Sequence, residues 1–155
     1  MPNRLYAYNN RISGKRVIGS VLLMLIKVAD ERLGETEEAT LHGERILYSS
    51  RVRTLVDAVY DWSRFNSLPR GYEWIRYELK AKRIDALELV KVTLRYGDTG
   101  TLRRMGVLLE DEGVDSALLR KLSRALNPTS SLIPWIPGRP KRGTVNRRWG
   151  VIIDG

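Results

Sequence analysis

The sequence predicts an α+β fold: an N-terminal β-sheet region packed against an antiparallel bundle of four to five short helices, with a short C-terminal strand. Three observations predict it. Up to residue 50 the apolar residues either alternate with polar ones or run together in β-branched stretches, the patterns of half-buried and doubly buried strands. From Ser50 to Leu126 they recur every three or four residues, between side chains that cap helices. At the end, Val151-Ile152-Ile153 makes a short apolar run behind an irregular stretch. Neither layer can bury its apolar face alone, so helices and sheet are expected to pack on each other. With 155 residues the chain has the size of one ordinary domain. It is read as a single domain over 1–155: mainly strands over 1–50, helical over 51–126, and a basic extended segment with its closing strand over 127–155.

In chain order, Arg4, Tyr6 and Tyr8 alternate with Leu5 and Ala7 and predict a strand at about 4–8, ended by Asn9-Asn10. Ser13-Gly14 turns the chain into the run Val17 to Val28, whose apolar content without polar alternation suits a strand buried on both faces; a buried helix has the same signature. Ala39–Leu41 and Arg45–Tyr48 flank His42-Gly43-Glu44 and read as a hairpin, with Gly43 in the awkward turn position. Ser50 caps a helix over about 51–64, with Val52, Leu55, Val56 and Val59 on one face. After a loop at 66–71, Trp74, Ile75, Leu79 and Ile84 run along a second helix of roughly 72–83. Asp85 opens the next, lined by Leu87, Val90 and Leu94 and stopped by Gly97. Asp98 or Thr99 caps a helix carrying Leu102, Met105, Leu108 and Leu109 that ends at Gly113, and Asp115 caps the last, carrying Leu118, Leu119, Leu122 and Leu126. Residues 127–142 read as irregular and extended.

Composition narrows the chemistry. Forty-three per cent apolar and 29% charged residues match a folded soluble protein. No cysteine is present, which excludes disulfides, thiol nucleophiles and Cys-based metal sites and fits a reducing cytoplasm. His42 is the only histidine, so His clusters are excluded, and beside Gly43 it reads as a turn residue. No glycine run has phosphate-loop spacing. Glu78-Leu79-Lys80 imitates the tail of a nuclease motif but falls on a predicted helix, where a metal-site pair would need a strand. The apolar run from Val17 to Ile26 is too short to span a membrane, and no small-residue cleavage site follows it. A metal-free, cofactor-free, non-enzymatic protein is the expectation.

The net charge of +9 is unevenly placed. From Arg120 onward eight cations face one carboxylate, Asp154, while the first 119 residues are nearly balanced. Such a stretch is either a patch for phosphates or an acidic partner, or a solvated surface that maintains solubility. Arg139, Lys141, Arg142, Arg147 and Arg148 lie closest together. Three local constellations complete the inventory. Ser50-Arg51-Val52-Arg53-Thr54-Leu55-Val56-Asp57 is a capped helix start. In Arg103-Arg104-Met105-Gly106-Val107-Leu108-Leu109-Glu110, Gly106 is expected to admit another backbone, with the arginine pair beside that contact. In Asn146-Arg147-Arg148-Trp149-Gly150, arginines and an indole adjoin the closing strand, and the indole either anchors it or stacks on a ligand.

In this order the three constellations are similar to the C-terminal domain of the abortive-infection AbiEi antitoxins, regulators of viral-defence systems. That family has a Ser-Pro-Glu-Arg-Thr-Leu-x-Asp helix start, an Arg-Arg-Leu-Gly-x-Leu-Leu-Glu helix and a terminal Arg-Trp-Gly strand. The matching residues here are Ser50, Arg53, Thr54, Leu55 and Asp57, then Arg103, Arg104, Gly106, Leu108, Leu109 and Glu110, then Arg148, Trp149 and Gly150. Arg51, Val52 and Met105 depart from the pattern. The resemblance covers nearly the whole chain from the sheet region onward and places it in the family's second domain, with the usual N-terminal winged-helix domain absent. It implies a nucleotidyltransferase toxin as functional partner, neutralised without a stable complex, and transcriptional regulation assisted by duplex DNA binding. Arg103, Arg104, Arg139, Lys141, Arg142, Arg147 and Arg148 are the candidate nucleic-acid or partner-binding residues. Arg53, Thr54, Asp57, Gly106, Glu110 and Trp149 are the motif residues. A stand-alone basic nucleic-acid-binding module is the alternative, and a nuclease a weaker one.

Overall fold

Where the sequence suggests one core, the residue contacts separate into two compact units, Met1–Thr36 and Glu37–Gly155. The structure is a computed structural model and describes residues 3–154. The chain is α+β, with strands and helices largely segregated along it and a short C-terminal strand.

The first unit holds three strands, β1 (Asn3–Asn9), β2 (Gly14–Ile18) and β3 (Val21–Lys27), in the order β1-β3-β2. The expected single run over 17–28 is thus two strands. Gly19, at φ 59°, provides a left-handed position in the two-residue turn that folds β3 back along β2. β1 runs parallel to β3, from Asn3 beside Val21 to Asn9 beside Lys27, and β2 runs antiparallel to it on the other side. Asn9 holds the crossover: its Oδ1 accepts from the backbone N–H of Arg11 (2.9 Å) and Ile12 (2.8 Å). Burial on both faces is not found. Within this unit Ile26 is buried, whereas Val17 and Ile18 are 76% and 63% exposed.

The second unit opens with a hairpin of β4 (Thr36–Leu41) and β5 (Glu44–Ser49). Both turn residues are left-handed, His42 at φ 52° and Gly43 at φ 80°, as the tightest hairpin turns require. Six helices follow. Ser50 caps α1 (Arg51–Tyr60) by accepting from the Arg53 N–H at 3.1 Å. The expected helix to residue 64 breaks at Asp61, and a short α2 (Trp62–Phe65) continues from it. α3 covers Arg70–Lys80, two residues earlier than its sequence pattern predicts at the start and three at the end. Asp85, Asp98 and Asp115 cap α4 (Ala86–Tyr96), α5 (Thr99–Asp111) and α6 (Ser116–Arg124) through backbone N–H groups at 2.8–2.9 Å.

Two inner faces differ from expectation. α4 turns Leu89, Val90, Val92 and Tyr96 inward and leaves Leu94 38% exposed; Trp74 of α3 is 46% exposed. Gly97 stops α4 without a left-handed φ. A Cβ there would meet the Thr93 carbonyl and the Thr101 side chain, so closeness rather than conformation selects glycine.

The chain ends in a second small sheet, β6 (Ile133–Pro134), β7 (Thr144–Asn146) and β8 (Val151–Ile153), in the order β6-β8-β7. It repeats the connectivity of the first: one parallel edge strand, one antiparallel edge strand and the last strand between them. One cluster of buried side chains spans α1, α3, α4, α5, α6 and β8, with Trp149 among its members. No helix among the described residues is long and apolar enough to cross a membrane.

Candidate functional site

α5 is the element on which the second and third constellations meet. Its positions 103, 106 and 110 recur at helical spacing and so share one face, and the C-terminal segment lies along it. Gly106 forms a notch occupied by the Trp149 indole. A Cβ on residue 106 would clash with Cε3, Cδ2 and Cζ3 of the indole's six-membered ring. The indole is 1% exposed, and its Nε1 donates to Glu110 Oε2 at 3.2 Å. The same carboxylate accepts from Arg148 Nη1 at 2.8 Å and from Asn146 Nδ2 at 3.4 Å. Arg148 also lies over the indole, 5.0 Å from its centroid. Gly150 completes the turn at φ 68°, which a side chain would strain, and donates its N–H to Asn146 O at 2.8 Å. The close neighbour expected at Gly106 is therefore an indole and not a second backbone.

Arg103 and Arg104 do not face solvent. They are 5% and 7% exposed, with Arg103 Nη1 donating to Ser131 O at 3.1 Å and Arg104 Nε and Nη2 to Pro134 O at 3.2 and 3.0 Å. The sequence reading takes both as nucleic-acid or partner contacts; the structure turns both side chains inward. Each guanidinium satisfies carbonyls of the extended segment that no helix or long ladder could pair. Burial holds the Arg104 pKa below its ordinary value. Beside it Tyr72, which the sequence did not single out, donates its hydroxyl to Trp135 O at 2.6 Å and stacks on the Trp135 ring at 3.7 Å. Burial pushes the Tyr72 phenol up, partly offset by Arg104 and Arg76. A tyrosine inside an otherwise amphipathic helix gives no sequence signal for such a partner 63 residues away.

The first constellation is also internal. Arg53 Nε donates to both oxygens of Asp57, at 3.0 and 3.1 Å, one turn along α1. Both residues are buried, and the guanidinium lies 3.7 Å from the centroid of Tyr96 on α4. Thr54 stays exposed and donates its hydroxyl to Ser50 O. The motif residues are thus frame rather than contact surface: Arg53 and Asp57 join α1 to α4, while Gly106, Glu110 and Trp149 join α5 to the C-terminal turn.

Of the basic candidates, Arg139, Lys141, Arg142 and Arg147 are exposed, as are Arg120, Lys121 and Arg124 on α6. Arg139 reaches Asp154 at 3.9 Å, and Arg148 is exposed but tethered to Glu110. Among the described residues no three His, Cys, Asp or Glu side chains are grouped as metal ligands. Glu78 and Lys80 lie on α3, and Glu78 is engaged by Arg83 at 2.8 Å and Arg51 at 3.2 Å, which holds its carboxyl below the usual range. Comparison with protein-family models, curated proteins and solved structures finds no match.

Proposed function

We propose that the chain is a non-enzymatic antitoxin and regulatory domain of an abortive-infection toxin–antitoxin system. In this reading it acts in the cytoplasm, neutralises a nucleotidyltransferase toxin, and assists binding to duplex DNA through its exposed basic C-terminal residues. One observation carries the proposal. The residues that resemble the family's second and third motifs are physically interdependent, because Gly106 makes room for Trp149 and Glu110, 39 positions before it, takes its N–H. Two weak motifs that are parts of one packing device support membership of one family better than two coincidental matches would.

The contact surface in this reading is Arg139, Lys141, Arg142 and Arg147, with Arg148 steadied by Glu110. Arg103 and Arg104 support it from beneath by holding the carbonyls of Ser131 and Pro134. Co-expression with an abortive-infection nucleotidyltransferase toxin, taken from beside the gene for this chain if one is encoded there, tests the proposal. Relief of growth arrest at matched soluble expression is the expected result, and unchanged arrest by a folded, soluble chain would overturn it. The exposed cations also favour a second reading, a stand-alone nucleic-acid-binding module, which predicts salt-dependent duplex binding and no effect on any toxin.

A further inference from the structure

Away from the α5 junction, the second unit carries an open cleft of about 520 Å³ between the β4–β5 hairpin and helices α1 and α3. Pockets for small ligands fall at about 300–1,000 Å³. Its walls are unusual for a surface. Tyr48, Trp74 and Tyr77 line it and are 47%, 46% and 64% exposed. Three large, partly exposed rings at one place supply the aromatic surface on which a planar ligand stacks.

The polar groups define the ligand further. Glu37 and Arg51 stand in the lining, one a pure acceptor and the other a pure donor. The remaining lining carboxylate, Glu78, is occupied by Arg51 and by Arg83, whose guanidinium also covers Tyr77 at 4.7 Å from its centroid. Glu37 lies beside Tyr48, and its interaction with the hydroxyl holds the Tyr48 phenol pKa up. A carboxylate has about four acceptor positions, so Glu37 has acceptor capacity to offer a ligand. A carboxylate selects a ligand edge carrying two adjacent N–H donors. Among the nucleobases only guanine presents one, through N1–H and the N2 amino group; adenine and cytosine offer one amino group, and uracil one ring N–H. A purely cationic ligand such as a basic peptide is disfavoured by Arg51 in the lining, by Arg83 beside Glu78 and Tyr77, and by the net charge of +9.

We propose that this cleft binds a guanine base, stacked on Trp74 and Tyr77, with its Watson–Crick edge on Glu37 and its attached phosphate towards Arg51. The base can come from a free nucleotide or from an unpaired position in single-stranded nucleic acid. The site shares no basic residue with the C-terminal segment and stands independently of the antitoxin reading.

The test is calorimetric titration of the full chain with GMP, AMP, CMP and UMP, and with short oligo-G and oligo-A strands. GMP or oligo-G is expected to bind at least tenfold more tightly than its adenine counterpart. Binding by GMP alone identifies a nucleotide site, and binding by oligo-G only identifies a single-strand site; both support the proposal. Trp74→Ala, on an exposed ring, should weaken binding on the order of tenfold or more while the far-UV spectrum and melting temperature stay near wild type. Glu37→Gln should bring GMP and AMP within about threefold of each other, and Arg51→Ala should reduce the gain of GMP over guanosine. No binding of any nucleotide or oligonucleotide at millimolar concentration overturns the proposal. So does guanine binding that neither Trp74→Ala nor Glu37→Gln changes, or Trp74-dependent binding of oligo-arginine in its place.

Discussion

The Trp149 indole sits in the notch left by Gly106, and its Nε1 donates to Glu110 at 3.2 Å, one helical turn further along α5. Glycine inside an exposed helix weakens it by about 1 kcal/mol relative to alanine. Here the deficit is tolerated because the missing Cβ admits a ring that is almost wholly buried. The pair fixes where the last turn of the chain lies. Glu110 then fixes its orientation by accepting from Arg148 and Asn146 as well.

Gly106→Ala should therefore destabilise the protein by about 1–3 kcal/mol, opposite in sign to its effect in a free helix. Trp149→Ala should cost about 3–5 kcal/mol. The double variant should lose clearly less than the sum, because the added methyl no longer meets a ring. Urea unfolding monitored by circular dichroism measures all three, and additive losses would separate the two residues.

The buried pair of Arg53 and Asp57 makes a different prediction. Removing one partner leaves a charge stranded next to Tyr96, so Asp57→Ala should cost about 3–5 kcal/mol. Replacing both, as Arg53→Met with Asp57→Leu, should recover most of that loss, since apolar side chains of similar volume suit the same place. A double variant no more stable than Asp57→Ala alone would show that the ion pair itself is required.

Helix positions were legible because their signals are local. Ser50, Asp85, Asp98 and Asp115 each cap a helix through a neighbouring N–H, and the order of strands, helices and closing strand follows from the change in apolar period. What depends on distant partners was not legible. Nothing near Arg103 or Arg104 announces that their guanidinium groups meet carbonyls about 30 residues away, and a basic pair reads by default as surface. Trp74 fits the apolar spacing of α3 but lies outside the buried face, because periodicity locates a stripe without giving its width. The turn at Gly19-Ser20 was hidden inside an apolar run whose composition alone signals a single strand.

Tyr72 predicts a loss of stability in alkali. Its phenol is 1% exposed and burial raises its pKa above the ordinary 10.0, so the folded state keeps the proton to higher pH than the unfolded chain does. The stabilisation is fully present below pH 10.0 and falls as pH rises beyond it, when unfolded Tyr72 ionises and folded Tyr72 does not. Tyr72→Phe should lower stability at pH 7 by about 0.5–1.5 kcal/mol through the lost bond to Trp135 O. It should also make the decline above pH 10 shallower than in wild type. Parallel curves for the two proteins between pH 9 and 11.5 would remove Tyr72 as the cause.

The exposed and the buried arginines should separate in a salt titration. Lys141 and Arg142 are exposed, whereas Arg104 is buried with two of its nitrogens on Pro134 O. If the basic end contacts duplex phosphates, each contact should contribute roughly 0.9 to the slope of log affinity against log salt. Replacing Lys141 and Arg142 by alanine should then flatten that slope by up to about 1.8, with little change in sequence preference. Arg104→Lys should act on stability and not on the slope. An ammonium cannot reproduce the two-pronged grip on the carbonyl, so the C-terminal segment should loosen and the melting temperature fall. The salt slope of the fraction that remains folded should stay at the wild-type value. Phosphate contacts without base readout give weak binding, on the order of 10⁻⁴ to 10⁻⁶ M at physiological salt. Labelled duplex DNA titrated at three salt concentrations reads both effects. Absence of binding even at low salt would assign the positive end to solubility or to an acidic protein surface. A slope flattened by Arg104→Lys in a fully folded sample would return that arginine to the contact surface.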